Sequence, residues 1–183
     1  AVRICGTLCG YLCHADAASE MPAIMQILEA QLVLSKVGSI RTVAASDFFI
    51  GTYETAIEPD EILTEVRIPK PADKTGWGFE EVAMRRGDYA WCTVVATLRI
   101  EGGKIAAPRI ALAGVTDCAA RLNDAEAVLK GRTPDEALFA NIANTAAAAV
   151  TPDEGAAVTA EYKRDLIRAL LPRVLGDAVA RAK

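Results

Sequence analysis

The sequence predicts an α+β chain in two lobes, the second an antiparallel sheet with one face covered by helices. Three observations carry this. Alternating apolar residues from Trp77 to Val115 give way to helical spacing from about Asn123, the order of a sheet followed by its covering helices. Gly102-Gly103 stands between two of the alternating runs, and glycine takes the positive φ of a tight hairpin turn at little cost. Lys70 to Gly76 (KPADKTG) sets Pro, Asp and Gly between two strand patterns, which divides the chain into residues 1–70 and 71–183.

In chain order, Arg3 to Ala18 is rich in Gly, Cys and small residues and reads as a loop. Ser19 reads as an N-cap, with Glu20 in the first turn and Pro22 near the helix start. Ile24, Ile27 and Leu28 continue that helix to about Ala30. Gln31–Ser35 and Ile40–Val43 read as strands around a four-residue turn, and Asp47 to Phe49 as a helical turn before a polar connection. Ile62 to Ile68 alternates and ends at Pro69. Trp77–Arg85, Cys92–Ile100 and Ile105–Val115 make a three-stranded meander. Asn123 with Glu126 reads as a capping box, and Thr133-Pro134-Asp135-Glu136 as a second helix start leading to Val150. A last helix from Thr159 carries Leu166, Ile167, Leu170 and Leu171, and Pro172 is expected to kink it.

Composition narrows the function classes. A chain of 183 residues with 52% hydrophobic and 24% charged residues buries a core and is not a disordered tail. A net charge of -4 gives no basic footprint for nucleic acid. The longest apolar run, Ala143 to Val150, is mostly alanine and too short for a membrane span. The first residues, AVRICGTLCG, hold no basic leader with an apolar stretch, and the five cysteines do not form a secreted disulfide pattern. A cytoplasmic protein is the expectation.

The chemistry-bearing stretch is Gly6 to Pro22. Small residues before a helix start let backbone N–H groups approach a pyrophosphate or a flavin edge, although close packing uses the same residues. It is neither a P-loop nor a Rossmann fingerprint. Cys5, Cys9, Cys13 and His14 offer four metal ligands. Gly6 and Gly10 argue against the helix that would align them, and Cys-x2-Cys pairs are absent. His14 is the one histidine, and no nucleophile elbow accompanies it. Asp60-Glu61 and Glu80-Glu81 read as solvated charges.

The same stretch resembles the second flavin-binding loop of molybdenum hydroxylase FAD subunits, the family of the carbon monoxide and xanthine dehydrogenases. Gly6, Thr7, Leu8, Gly10, His14, Ala15, Asp16, Ala18, Ser19, Glu20 and Pro22 stand in register with it. The resemblance implies that Thr7, Leu8, Cys9 and Gly10 cradle the FAD, with Tyr11 and His14 in the same loop and Asp16 and Glu20 anchoring the sugar. Arg85-Arg86-Gly87-Asp88-Tyr89-Ala90 is similar to a second family stretch, which implies Tyr89 and Trp91 beside the isoalloxazine ring. Cys9 stands where Gly is usual, and Tyr11 where a small or amide residue is usual.

On this resemblance, residues 1–70 are the C-terminal part of an FAD-binding domain and residues 71–183 the C-terminal α+β domain of a flavoprotein subunit. The implied activity is that of an FAD-containing oxidoreductase subunit, relaying electrons from iron–sulfur clusters to an external acceptor. Implied partners are a molybdopterin-containing large subunit, a [2Fe-2S] small subunit and a chain carrying the other, Gly-Gly-containing FAD loop. Two other readings stand beside it: a cofactor-free assembly lobe, and a small metal module on the cysteine run.

Overall fold

The computed structural model describes residues 6–85, 87–154 and 158–182. The fold is α+β, as the alternation of patterns predicts. The loop expected over Arg3 to Ala18 is instead helical over α1, Leu8–His14. Thr7 is its N-cap, with Oγ1 accepting from the Gly10 amide at 3.0 Å. A cap contributes about 1 kcal/mol, enough to offset a glycine inside the helix, and Leu12 anchors the turn in full burial. Ala15, at φ 49°, ends the helix.

After Ser19, α2 runs Glu20–Ile27; Ser19 holds the cap position without a side-chain bond. β1 (Gln31–Lys36) pairs antiparallel with β2 (Ser39–Ala44) and, on its other edge, with β5 (Ile62–Arg67). Between them lie the single turn α3 (Ala45–Phe48) and a small hairpin, β3 (Phe49–Gly51) with β4 (Glu54–Thr55), where the sequence suggested only a polar connection. Leu12, Met25, Leu32, Leu34, Phe48 and Leu63 form this lobe's core. A bidentate pair ties β2 to the approach to β5. Arg41 Nε and Nη2 donate to the two Glu61 oxygens, each at 2.7 Å, and the Glu58 amide donates to Glu61 at 2.9 Å.

The second lobe is a four-stranded antiparallel meander, β6 (Gly76–Ala83), β7 (Ala90–Glu101), β8 (Lys104–Ala113) and β9 (Ala120–Arg121). One face, with Cys92, Val94, Ala96 and Leu98, packs on α4 (Asn123–Leu129), α5 (Glu136–Ala149) and α6 (Ala160–Arg181) through Leu129, Ile142, Ile167, Leu170 and Val174. Two caps differ from expectation. Asn123 is already helical and Leu122 holds the cap position, because Glu126 is committed elsewhere: it accepts from Arg121 and from the Ile110 amide. Asp135, not Thr133, caps α5, its carboxylate accepting from the Leu138 amide at 2.7 Å. Thr159 caps α6, which continues without a break through Pro172.

The other face of the sheet is covered by α2. Ala23 and Ile27 pack on Val95, Ala111, Ala113 and Ala119, and Gln26 Nε2 donates to the Ala119 carbonyl at 2.8 Å. The lobes therefore share a helix. Among the described residues no helix is long and apolar enough to cross a membrane.

β6 and α6 meet backbone to backbone. A Cβ added at Gly78 would overlap the Val174 carbonyl, and one at Gly76 the Ala178 carbonyl. Gly78→Ala is therefore expected to cost on the order of 2–3 kcal/mol by overpacking, read as a lower urea midpoint with an unchanged slope. Glu61 yields a second expectation. Its hydrogen bonds from Arg41 and the Glu58 amide hold its pKa at about 2, below the ordinary 4.5. The stability this contributes is complete above about 4.5 and is lost as pH falls toward 2, where the unfolded chain binds the proton first. Glu61→Gln should flatten the acid limb of Tm against pH in that window; an unchanged limb would remove Glu61 as its source.

Candidate functional site

The start of α2 and the turn between β6 and β7 face each other across an open cleft of about 550 Å³, lined by Tyr11, Glu20, Met84, Gly87, Asp88, Tyr89 and Trp91. Tyr11 Oη donates to Glu20 Oε2 at 2.9 Å, so the last turns of α1 fix the carboxylate at the first turn of α2. Burial, and secondarily the Glu20 charge, pushes the Tyr11 phenol up, which keeps it a donor. Burial followed by the Glu20 charge also raises Glu81.

On the opposite wall, Gly87 turns at φ 91° with open space where a side chain would stand. Arg85 Nε donates to Asp88 at 2.7 Å and steadies that turn. Tyr89 is 61% exposed. Trp91 packs edge-on to Tyr162 of α6, with centroids 6.1 Å apart, so the helical layer sets its position.

The remaining residues singled out from the sequence lie outside this cleft. Thr7, Leu8, Cys9 and Gly10 form the cap and first turn of α1. Asp16 is buried and already bonded: Oδ1 accepts from the Ala18 amide at 2.9 Å and Oδ2 from the Tyr53 hydroxyl at 3.3 Å. His14 lies against the Tyr53 ring at 4.9 Å. Sequence reasoning missed Tyr53, an exposed aromatic at φ 60° on the small hairpin. Its one sequence signal is an aromatic side chain inside a polar connection.

The described cysteines are not arranged for metal. Among the described residues no group of three or more His, Cys, Asp or Glu could hold an ion, and Cys5 lies outside them. Cys9 and Cys13 stand one helical turn apart and pack against the first-lobe core. Burial raises the Cys13 thiol, away from the thiolate that a metal needs. Cys92, inside the sheet core, is pushed up to about 12 by burial and is no nucleophile.

What the cleft can hold follows from its walls. An exposed aromatic ring, a glycine turn with free space and a fixed carboxylate suit a flat heterocycle carrying hydroxyl groups. The charged side chains described in the lining are Glu20 and Asp88, so a pyrophosphate would meet repulsion there and belongs elsewhere. The residues fit the ring end of a flavin dinucleotide and not its phosphates.

Comparison with known proteins agrees with this chemistry. Residues 1–71 match the family described as the FAD binding domain in molybdopterin dehydrogenase, and residues 77–178 the CO dehydrogenase flavoprotein C-terminal domain. The nicotine 6-hydroxylase medium subunit of Paenarthrobacter nicotinovorans is 36% identical over 98% of this chain and 63% of its own length. The carbon monoxide dehydrogenase medium chain of Afipia carboxidovorans is 35% identical over 100% of this chain and 63% of its own. Among solved structures, carbon monoxide dehydrogenase from Hydrogenophaga pseudoflava superposes with a TM-score of 0.94 at 36% identity, covering 98% of this chain and 63% of that one. Quinoline 2-oxidoreductase from Pseudomonas putida 86 gives a TM-score of 0.92 at 38% identity, covering 99% and 63%. This chain thus spans 63% of the length of these relatives. With both of its lobes matched in order, the chain belongs to the FAD-binding flavoprotein family of the molybdopterin dehydrogenases.

Proposed function

We propose that this chain is the flavin-holding part of an electron-transfer subunit in a molybdenum hydroxylase or dehydrogenase. The observation that carries the reading is the convergence of Tyr11 and Glu20 from one lobe with Tyr89 and Trp91 from the other in one cleft. When bound, FAD supplies the redox chemistry, accepting electrons from iron–sulfur clusters and passing them to an external acceptor. The chain's own residues bind and orient. Tyr89 offers its exposed face to the flavin ring, and Trp91, braced by Tyr162, backs it. Glu20, held by Tyr11, accepts from hydroxyl groups of the sugar chain.

In this reading residues 1–70 are the C-terminal part of the FAD-binding domain and residues 71–183 the C-terminal domain. Thr7, Leu8, Cys9 and Gly10 face the pyrophosphate, with His14 and Asp16 shaping the segment behind them. Asp16 acts through the backbone: its carboxylate is spent on Ala18 and Tyr53. A molybdopterin-containing large subunit and a [2Fe-2S] small subunit complete the complex. The family's other FAD loop comes from a segment or chain outside this sequence. No side chain here acts as an acid or base in the proposed relay.

Flavin binding in the native assembly tests this. Glu20→Ala is expected to weaken FAD by about 10- to 100-fold, the size of a lost hydrogen bond to a charged group. Tyr89→Ala is expected to weaken it by about tenfold through lost ring packing, and Tyr89→Phe to restore it, all read by quenching of flavin fluorescence. Unchanged affinity in both alanine variants would place the flavin elsewhere.

A further inference from the structure

The two walls of the cleft that Tyr89 lines meet at one residue outside its lining. β8 ends at Ala113, and the next residue, Gly114, turns away at φ 74°. On one side its amide donates to the Ala17 carbonyl at 2.7 Å, in the strap 15–19 that leads into Glu20. On the other side its Cα lies against the backbone of Ala90 and Trp91. An added Cβ would stand 2.4 Å from the Ala90 carbonyl oxygen and 3.2 Å from the Trp91 carbonyl carbon.

Both neighbours are braced. The Tyr53 amide donates to the Ala15 carbonyl at 2.9 Å and its hydroxyl to Asp16 Oδ2 at 3.3 Å. The Ser19 amide donates to the Asp16 carbonyl at 3.0 Å. Ala90 pairs with Ala83 of β6, and the Trp91 ring rests on Tyr162. The chain beyond Gly114 is fixed as well: Val115 is fully buried, and its carbonyl accepts from the Asp153 amide at 3.0 Å. A residue wedged between two braced segments sets their separation. Glu20 follows the strap directly and Tyr89 adjoins Ala90, so that separation governs the distance from carboxylate to exposed ring.

We propose that Gly114 is a positioning residue of this cleft: held between Ala17 and Ala90, it sets the spacing of Glu20 and Tyr89. Its bearing on flavin rests on the function proposed above, whereas the spacing itself does not. Glycine is required twice over, for the positive φ and for the room. A Cβ there pushes the Ala90–Trp91 backbone outward and carries Tyr89 with it.

Gly114→Ala is tested against Gly131→Ala, a position with φ 77° but nothing within 4 Å of its added Cβ. The strained φ alone lowers Tm by about 2–8 °C in each, so stability does not separate them. In the full chain carrying Trp77→Phe, Trp91 is the one tryptophan. There Gly114→Ala should shift Trp91 emission and raise its quenching by acrylamide, and Gly131→Ala should do neither. In the native assembly Gly114→Ala should weaken FAD by about tenfold, as Tyr89→Ala does, and Gly131→Ala should bind it like the parent. Added to Tyr89→Ala, it should cost less than about twofold more, because spacing matters only while both walls grip the ring. If Gly114→Ala does not fold, Gly114→Asn takes its place, since asparagine accepts positive φ more readily and carries the same Cβ. An unchanged Trp91 overturns the proposal. So do equal FAD losses in the two glycine variants, additive losses with Tyr89→Ala, or parent-like FAD affinity in Gly114→Ala where Tyr89→Ala weakens it. If Tyr89→Ala leaves FAD affinity unchanged, the flavin reading fails, and the Trp91 result alone decides the spacer role.

Discussion

Helix α2 is the element on which the rest of the molecule depends, because both lobes use it as core. Met25 packs into the first-lobe cluster, while Ala23 and Ile27 lie on Val95, Ala111 and Ala113 of the second-lobe sheet. Small residues on both partners allow this close approach. Gln26, buried and bonded to the Ala119 carbonyl, fixes the helix along its axis, and the Gly114 amide donates to the Ala17 carbonyl at 2.7 Å just before it. Burying one amide side chain without a partner costs on the order of 1–3 kcal/mol, so that one bond discriminates strongly between positions of α2 on the sheet. The position matters because Glu20 opens the helix at the cleft that Tyr89 lines, and Leu28 caps its other end.

The opposite wall of the cleft is set by the helical layer. β6 lies so close to α6 that Gly76 and Gly78 admit no side chain, and the same helix carries Tyr162 against Trp91. The turn from Met84 to Tyr89 is therefore suspended between two strands whose positions α6 dictates. Each wall of the cleft thus rests on a separate packing contact.

Much of this was legible in the sequence, for identifiable reasons. The meander of β6 to β8 follows from period-two apolar alternation and the Gly102-Gly103 turn, and the helices after it from their spacing. α1 was not legible. Gly6, Gly10 and three cysteines imitate a loop, and only the Thr7 cap and the burial of Leu12 show why a helix wins. The Asn123 box failed because a partner distant in sequence claimed Glu126: the Ile110 amide of β8 and the neighbouring Arg121. Tyr11, Glu20, Tyr89 and Trp91 were picked out by family resemblance, but nothing local in the sequence says that they share a cleft. Tyr53 escaped because its role is defined by His14 and Asp16, far away along the chain.

The most direct test of the central claim is a density map of the native assembly at a resolution that shows ring systems. A flavin ring lying against Tyr89, between the 87–91 segment and the start of α2, with a sugar-chain hydroxyl bonded to Glu20, is the result expected. A flavin bound away from this cleft, or a cleft filled by protein side chains from a partner, would contradict it.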